Sequence, residues 1–290
     1  MNVVDEIKES FKQGSVLTRL IYVNLAVFLL VRIIQLFFYL GGGNFMVLDW
    51  LALPDNPADF IHKPWTIVTY MFLHYNFIHI LFNLIGLYWF GKLFLYRFEQ
   101  DKMLGLYVLG GISGGLLYML AYNLLPVFEH VNGMLLGASA SLIAILVAIA
   151  VYEPDREIYL AFVGAVKLKY VAGIYILLSV IGISTSNPGG NIAHLGGALF
   201  GYLYIVQLRK GKDMSSGIVN LINKLASIFK PRPKIRVTHK QPPRDDYEYN
   251  REKHANQEEM NKILDKIAKS GYDSLTKREK EILFRQGKNN

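Results

Sequence analysis

Cysteine is missing altogether from the 290 residues. That removes disulfides, thiolate nucleophiles and zinc–thiolate centres. Acidic side chains are outnumbered, 23 Asp and Glu against 31 Lys and Arg, for a formal net charge of +8. Negative charge is absent from the apolar runs of the first two thirds of the chain, so a carboxylate cannot join any chemistry placed inside them. The first apolar run is too long for a signal peptide and no small-residue cleavage site follows it, so no cleavable leader is expected.

Apolar sequence fills the space left by what is missing. The chain is 52% hydrophobic with positive mean hydropathy, and runs able to cross a bilayer, about 20 residues each, recur along it. The expected spans are 17–40, 77–95, 103–125, 135–151, 170–183 and 192–208. Arg32 lies inside the first and is expected to snorkel or face the bundle. The stretch 44–76 is too apolar for a solvated loop and too broken for a span, which suits a segment lying in the outer leaflet. Asn76 is a candidate N-cap for the second span. The third carries Gly110, Gly111, Gly114 and Gly115, the fourth Ala140, Ala144 and Ala148, and the sixth Gly197 and Gly201, all allowing close helix contact.

The excess of Lys and Arg sorts by loop. Residues 8–19, 92–102, 156–169 and 209–212 hold most of it, and the intervening loops have essentially Lys63. Six spans with both termini cytoplasmic satisfy that bias. The charge is read as a topology signal, and no nucleic-acid partner is expected. The expected divisions are a polar N-terminus (1–16), a membrane core (17–208), an interfacial helix and linker (209–250) and a helical hairpin (251–290). Ile218, Leu221, Ile222, Leu225 and Phe229 mark the interfacial helix, 231–250 reads as a Pro- and charge-rich linker, and Thr276 with Glu279 forms a capping box in the hairpin. The fold class is therefore all-α, a polytopic bundle with a small helical tail.

Polar groups that would be buried in this bundle converge. His79 opens the second span with Asn83 one turn deeper, Ser139 starts the fourth and His194 starts the sixth. These starts share one membrane level, extracytoplasmic by the loop charges. Ser139 could attack a carbonyl while His194 takes its proton and passes it to the leaving amine. The Ser139 amide, the His79 ring and the Asn83 amide could meet the oxyanion. Gly137 would permit close backbone approach, and Gly196 and Gly197 would let span six pack on span four. With no carboxylate nearby, a Ser–His dyad is expected. Taken singly, each residue has a plainer reading: serine as a small packing residue, histidine as a structural group or proton relay, asparagine as interhelical glue. His74 reads as structural support. No metal site is expected, since His74 and His79 are poorly spaced on a helix and no carboxylate joins them.

The segments His74-Tyr-Asn-Phe-Ile-His79-Ile-Leu-Phe-Asn83, Gly137-Ala-Ser139-Ala140 and Ala193-His194-Leu-Gly-Gly197 resemble the rhomboid family of intramembrane serine proteases, in order and in the right spans. The resemblance covers about 17–208. It implies Ser139 as nucleophile, His194 as base and acid, and His79, Asn83 and the Ser139 amide as oxyanion hole. It also implies a bacterial inner-membrane setting, transmembrane protein substrates cut near their outer ends, a pocket opening to lipid between spans two and five, and no cofactor. Two positions depart from the family pattern: Ala140 stands where glycine is usual, and Thr66 follows Trp65 where bacterial members often have Arg. A non-catalytic rhomboid-like binder of transmembrane helices is the alternative reading. A transporter is disfavoured, since the polar residues lie near one surface and no inverted repeat is visible.

Overall fold

The computed structural model describes residues 2–43, 46–160, 163–228 and 246–287. They fall into two compact units, Met1–Lys230 and Pro231–Asn290.

The first unit begins with α1 (Val3–Gln13), capped by Asn2. The N-terminus was expected to be simply polar. It forms instead a helix whose Val4, Ile7 and Phe11 are exposed along one stripe. Ser15 caps α2 (Val16–Leu40) through a bond from the Thr18 amide. The connection to the next long helix is ordered by short pieces: α3 (Val47–Leu51), strand β1 (Leu53–Pro54), α4 (Pro57–His62) and α5 (Thr66–Thr69), which runs into a 3₁₀ turn at Tyr70–Phe72. Trp50 and Trp65 stack there, 6.4 Å between centroids, and Trp65 donates to the Trp50 carbonyl at 2.8 Å.

Asn76 accepts the His79 amide at 2.8 Å and starts α6 (Phe77–Leu95). Then come α7 (Gln100–Leu124), strand β2 (Met134–Leu135), α8 (Ser139–Tyr152), the hairpin β3 (Glu157–Leu160) and β4 (Gly164–Lys167), α9 (Leu168–Thr185), α10 (Pro188–Arg209) and α11 (Ser216–Ile228). Two starts differ from expectation. α8 begins at Ser139 rather than at Leu135, because Leu135 pairs antiparallel with Leu53 and Gly137, at φ +131°, turns the chain before the helix. α10 begins at Pro188 rather than near Ile192, because Asn187 caps it and proline suits a first turn. His194 therefore lies in the second turn.

By length and composition α2, α6, α7 and α9 are each long and apolar enough to cross a membrane. α8, with 14 residues, is about 21 Å long against a hydrocarbon core of about 30 Å. It can be short because Ala140 through Ala150 are all buried among the other helices. Its neighbours are cut to fit. A Cβ at Gly110 would lie 2.4 Å from the Ala144 Cβ, and one at Gly114 2.7 Å from the Ala140 Cβ. On the other side, a Cβ at Gly197 would lie 2.1 Å from the Ala140 carbonyl oxygen and one at Gly201 2.3 Å from that of Ala144. The methyls of α8 thus fill the glycines of α7, and its carbonyls meet the glycines of α10. Where lipid is as apolar as protein, such close packing and interhelical hydrogen bonds hold helices together. Tyr70 donates to the Gly111 carbonyl at 2.6 Å, Tyr107 to that of Met71 at 3.2 Å, and buried Asn24 to the Tyr107 hydroxyl at 3.2 Å.

The end of the bundle opposite Ser139 gathers charge. Glu153 pairs with Arg97 and with Arg156, the latter at 2.7 Å, and Asp155 pairs with Lys169 at 2.7 Å. Arg209 donates to the Val151 carbonyl at 2.9 Å. Three of the four basic loops singled out in the sequence therefore meet at one end. Past α10, Asp213 accepts the Ser215 amide at 2.8 Å and turns the chain into α11. Val219 of that helix is buried, while Leu221, Leu225 and Ile228 are exposed. Phe229 and most of the expected linker lie outside the described residues.

In the second unit α12 (Asp246–Ser270) begins inside what was read as linker, and α13 (Lys277–Gly287) follows a turn. Glu279 accepts the Thr276 amide at 2.7 Å while Thr276 Oγ1 accepts the Glu279 amide at 3.4 Å, a reciprocal capping box. Lys266 bridges back to Glu279 at 2.9 Å.

Candidate active site

The site is assembled from the starts of α6, α8 and α10 with one side chain from α9. Ser139 is the first residue of α8, so its amide has no acceptor within the helix. His194 Nε2 lies 2.7 Å from Ser139 Oγ. Gly197, less than one turn further along α10, brings that helix close to the Ala140 carbonyl of α8. Gly196 does not share in that contact. A Cβ there would meet the Ser113 carbonyl oxygen at 2.7 Å, and Ser113 Oγ donates to the Gly196 carbonyl at 2.9 Å. Gly196 therefore packs on α7, and Gly197 alone of the pair faces α8.

His79 approaches from the other side. A Cβ at Gly137 would sit 2.9 Å from His79 Nε2 and 3.7 Å from Ser139 Oγ, so the bare glycine keeps the space between ring and hydroxyl open. The Tyr75 amide donates to His79 Nδ1 at 3.3 Å. Nδ1 is then the unprotonated nitrogen, and Nε2 carries the proton into the site. Asn83, buried one turn deeper, donates through Nδ2 to the His79 carbonyl at 2.8 Å, with Oδ1 free of partners among the described residues. His74 is buried with its ring edge-on to His79, 5.1 Å between centroids. Arg32, expected to snorkel or face the bundle, turns inward and donates to the backbone carbonyls of His74 and Tyr75. It ties α2 to the turn that carries the His79 ring.

One side chain escaped the sequence reading. Ser179 of α9 is buried, with Oγ 3.2 Å from His194 Nδ1 and 2.8 Å from the Tyr175 carbonyl oxygen. Its signal was available: it is the one hydroxyl between Tyr175 and Gly182 in an otherwise apolar run, and buried polar groups in a membrane mostly mark function.

A family model described as the Rhomboid domain matches residues 62–211, just over half of the chain, and spans every one of these residues except Arg32. The chain belongs to the rhomboid family. It is 27% identical over 215 residues to RHOMBOID-like protein 12, mitochondrial, of Arabidopsis thaliana, covering 70% of this chain and 61% of that one. It is 28% identical over 164 residues to Rhomboid protease GlpG of Yersinia pestis (strain Pestoides F), covering 56% of this chain and 54% of the relative. The chain thus spans little more than half the length of these relatives. The tail matches a second model, a family of unknown function (DUF6576), over residues 245–289.

The two departures from the rhomboid pattern have local explanations. The Ala140 methyl points at Gly114 of α7, where it fills the helix contact. Thr66 is buried and donates its hydroxyl to the Lys63 carbonyl at 2.7 Å, closing the turn before α5.

Proposed function

We propose that this rhomboid protein is an intramembrane serine endopeptidase that hydrolyses peptide bonds in or near the transmembrane helices of other membrane proteins. The 2.7 Å contact between Ser139 Oγ and His194 Nε2, made by residues 55 apart in sequence, carries the reading. Ser139 Oγ attacks the substrate carbonyl carbon as its proton passes to His194 Nε2. The carbonyl π pair moves onto oxygen. The oxyanion is met by the Ser139 amide, at a helix start that favours negative charge, and by the His79 Nε2–H, with Asn83 beside them. Collapse of this intermediate breaks the C–N bond, and the imidazolium protonates the leaving amine. Water then attacks the acyl-enzyme with the same imidazole as base, releasing the carboxylate and restoring Ser139.

A transmembrane helix bonds its own backbone groups, so its carbonyl must be freed before attack. Substrates with helix-breaking residues near the scissile bond are therefore favoured, entering between α6 and α9. The loop charges support cytoplasmic termini and an extracytoplasmic site, and the rhomboid kinship supports an inner-membrane setting. The reading requires no cofactor. The test is purified protein with a single-span substrate in detergent: cleavage is expected, lost in Ser139→Ala and in His194→Ala. A rigid poly-leucine span cut as fast as one containing Gly or Pro would remove the unwinding step.

A further inference from the structure

Ser179 is buried on a helix that otherwise turns much of its surface outward: Ile174, Leu177, Leu178, Val180 and Ile181 around it are exposed. An inward hydroxyl at that place has one proton and two lone pairs to dispose of. Two acceptors compete for the proton. The Tyr175 carbonyl, four residues back in the same helix, is 2.8 Å away, the usual back-bond of a helical serine, and His194 Nδ1 is 3.2 Å away. The shorter contact is to the oxygen. With its proton on the Tyr175 carbonyl, Ser179 Oγ offers a lone pair to His194, and only an Nδ1–H can use it.

The consequence falls at the other end of the ring. An imidazole protonated on Nδ1 presents a bare Nε2 to Ser139, the form a general base needs. The opposite tautomer would point an N–H at the nucleophile and, with the Ser179 proton held on the Tyr175 carbonyl, would set two lone pairs facing each other at Nδ1. His79 is set the other way, since the Tyr75 amide holds its Nδ1 as acceptor and leaves Nε2–H facing the Gly137 space. Two histidines a few ångströms from one hydroxyl are thus given opposite tautomers by two different neighbours, one suited to taking a proton and one to donating a hydrogen bond.

We propose that Ser179 is a positioning residue of the site, which accepts the His194 Nδ1–H and fixes the tautomer that leaves Nε2 free to deprotonate Ser139. In its effect on the second ring nitrogen it does the work of a carboxylate, without placing a negative charge inside the bundle. The proposal rests on the dyad reading for its consequence in catalysis, but the Ser179–His194 bond is a separate observation.

The experiment uses the full chain in detergent with ¹⁵N-labelled imidazole rings. His194→Gln assigns the His194 signals, and Ser179→Ala and Ser179→Thr are compared with wild type in spectra and in cleavage of a single-span substrate. In the wild type, Nδ1 of His194 is expected to carry the proton. Ser179→Ala is expected to shift the ring towards the other tautomer and to lower kcat about tenfold, the worth of one hydrogen bond, with KM unchanged. Ser179→Thr, which keeps the hydroxyl, is expected to restore both the shift and the rate. A wild-type ring protonated on Nε2, or a Ser179→Ala protein with unchanged spectrum and kcat, overturns the proposal. If instead the wild type neither cleaves nor reacts at Ser139, the protease reading falls, and the ¹⁵N shifts still decide the role of Ser179.

Discussion

Replacing Gly197 by alanine tests how far the dyad depends on the backbone contact beneath it. The added Cβ would start 2.1 Å from the Ala140 carbonyl oxygen and 2.9 Å from its carbon, where ordinary contact begins near 3.4 Å. Backbone on both sides leaves no flexible side chain to yield. α10 must therefore move away from α8 by about 1.3 Å, at a stability cost of roughly 1–3 kcal/mol for overpacking. His194 is less than one turn from Gly197 on the same helix, so most of that displacement reaches its ring. The present 2.7 Å contact to Ser139 would open towards about 4 Å, outside hydrogen-bond range. A misplacement of that size is worth about a hundredfold in rate. Gly173→Ala is the control, because a Cβ at that position of α9 meets nothing within 4 Å. Both variants would be purified in detergent, checked for helicity and thermal unfolding, and assayed on the same substrate. Gly197→Ala that stays folded and cleaves within threefold of wild type would refute the claim that this contact sets the dyad distance.

Gly137→Ala combines a φ of +131° with a methyl 2.9 Å from His79 Nε2, and should lower the cleavage rate about a hundredfold. A rate within a few-fold of wild type would show that this space is not where the oxyanion forms. At the charged end, burial pushes the Glu153 carboxyl up, but the Arg156 hydrogen bond and the Arg97 pairing outweigh it and hold the group below the usual carboxylate range. Its stabilisation is therefore present above the ordinary glutamate pKa and is lost as pH falls through the lowered one. Glu153→Gln should reduce Tm by a few degrees at pH 7 and leave it unchanged well below pH 4; the same loss at both pH values would contradict the pairing. In the tail, the Thr276 amide, Lys266 and the Thr276 hydroxyl push Glu279 down to about 2. Hydrogen exchange at the start of α13 should stay slow from neutral pH to near pH 3 after correction for intrinsic rates, and Glu279→Ala should remove that protection.

Much of the bundle was legible because small residues in apolar runs have few uses. The glycines of α7 and α10 and the alanines of α8 marked the close contacts, and Asn76 marked the start of α6. What sequence missed was set by pairing across the fold. Leu135 continues an apolar run, yet its partner is Leu53 in a distant loop, so the start of α8 could not be placed from periodicity. Gly196 and Gly197 look equivalent in sequence, and only the helix rotation shows one facing α7 and the other α8. The polar residues of the site stood out because each is costly inside a membrane. Ser179 is no less costly, but it stands outside the three motifs and makes sense only beside His194.

The central claim is that Ser139 is a nucleophile made reactive by His194. A fluorophosphonate probe applied to the purified protein, followed by peptide mapping, tests it most directly. The account predicts one modified residue, Ser139, with labelling abolished in Ser139→Ala and reduced at least a hundredfold in His194→Ala. Labelling that persists in Ser139→Ala, or that is unchanged when His194 is removed, would contradict it.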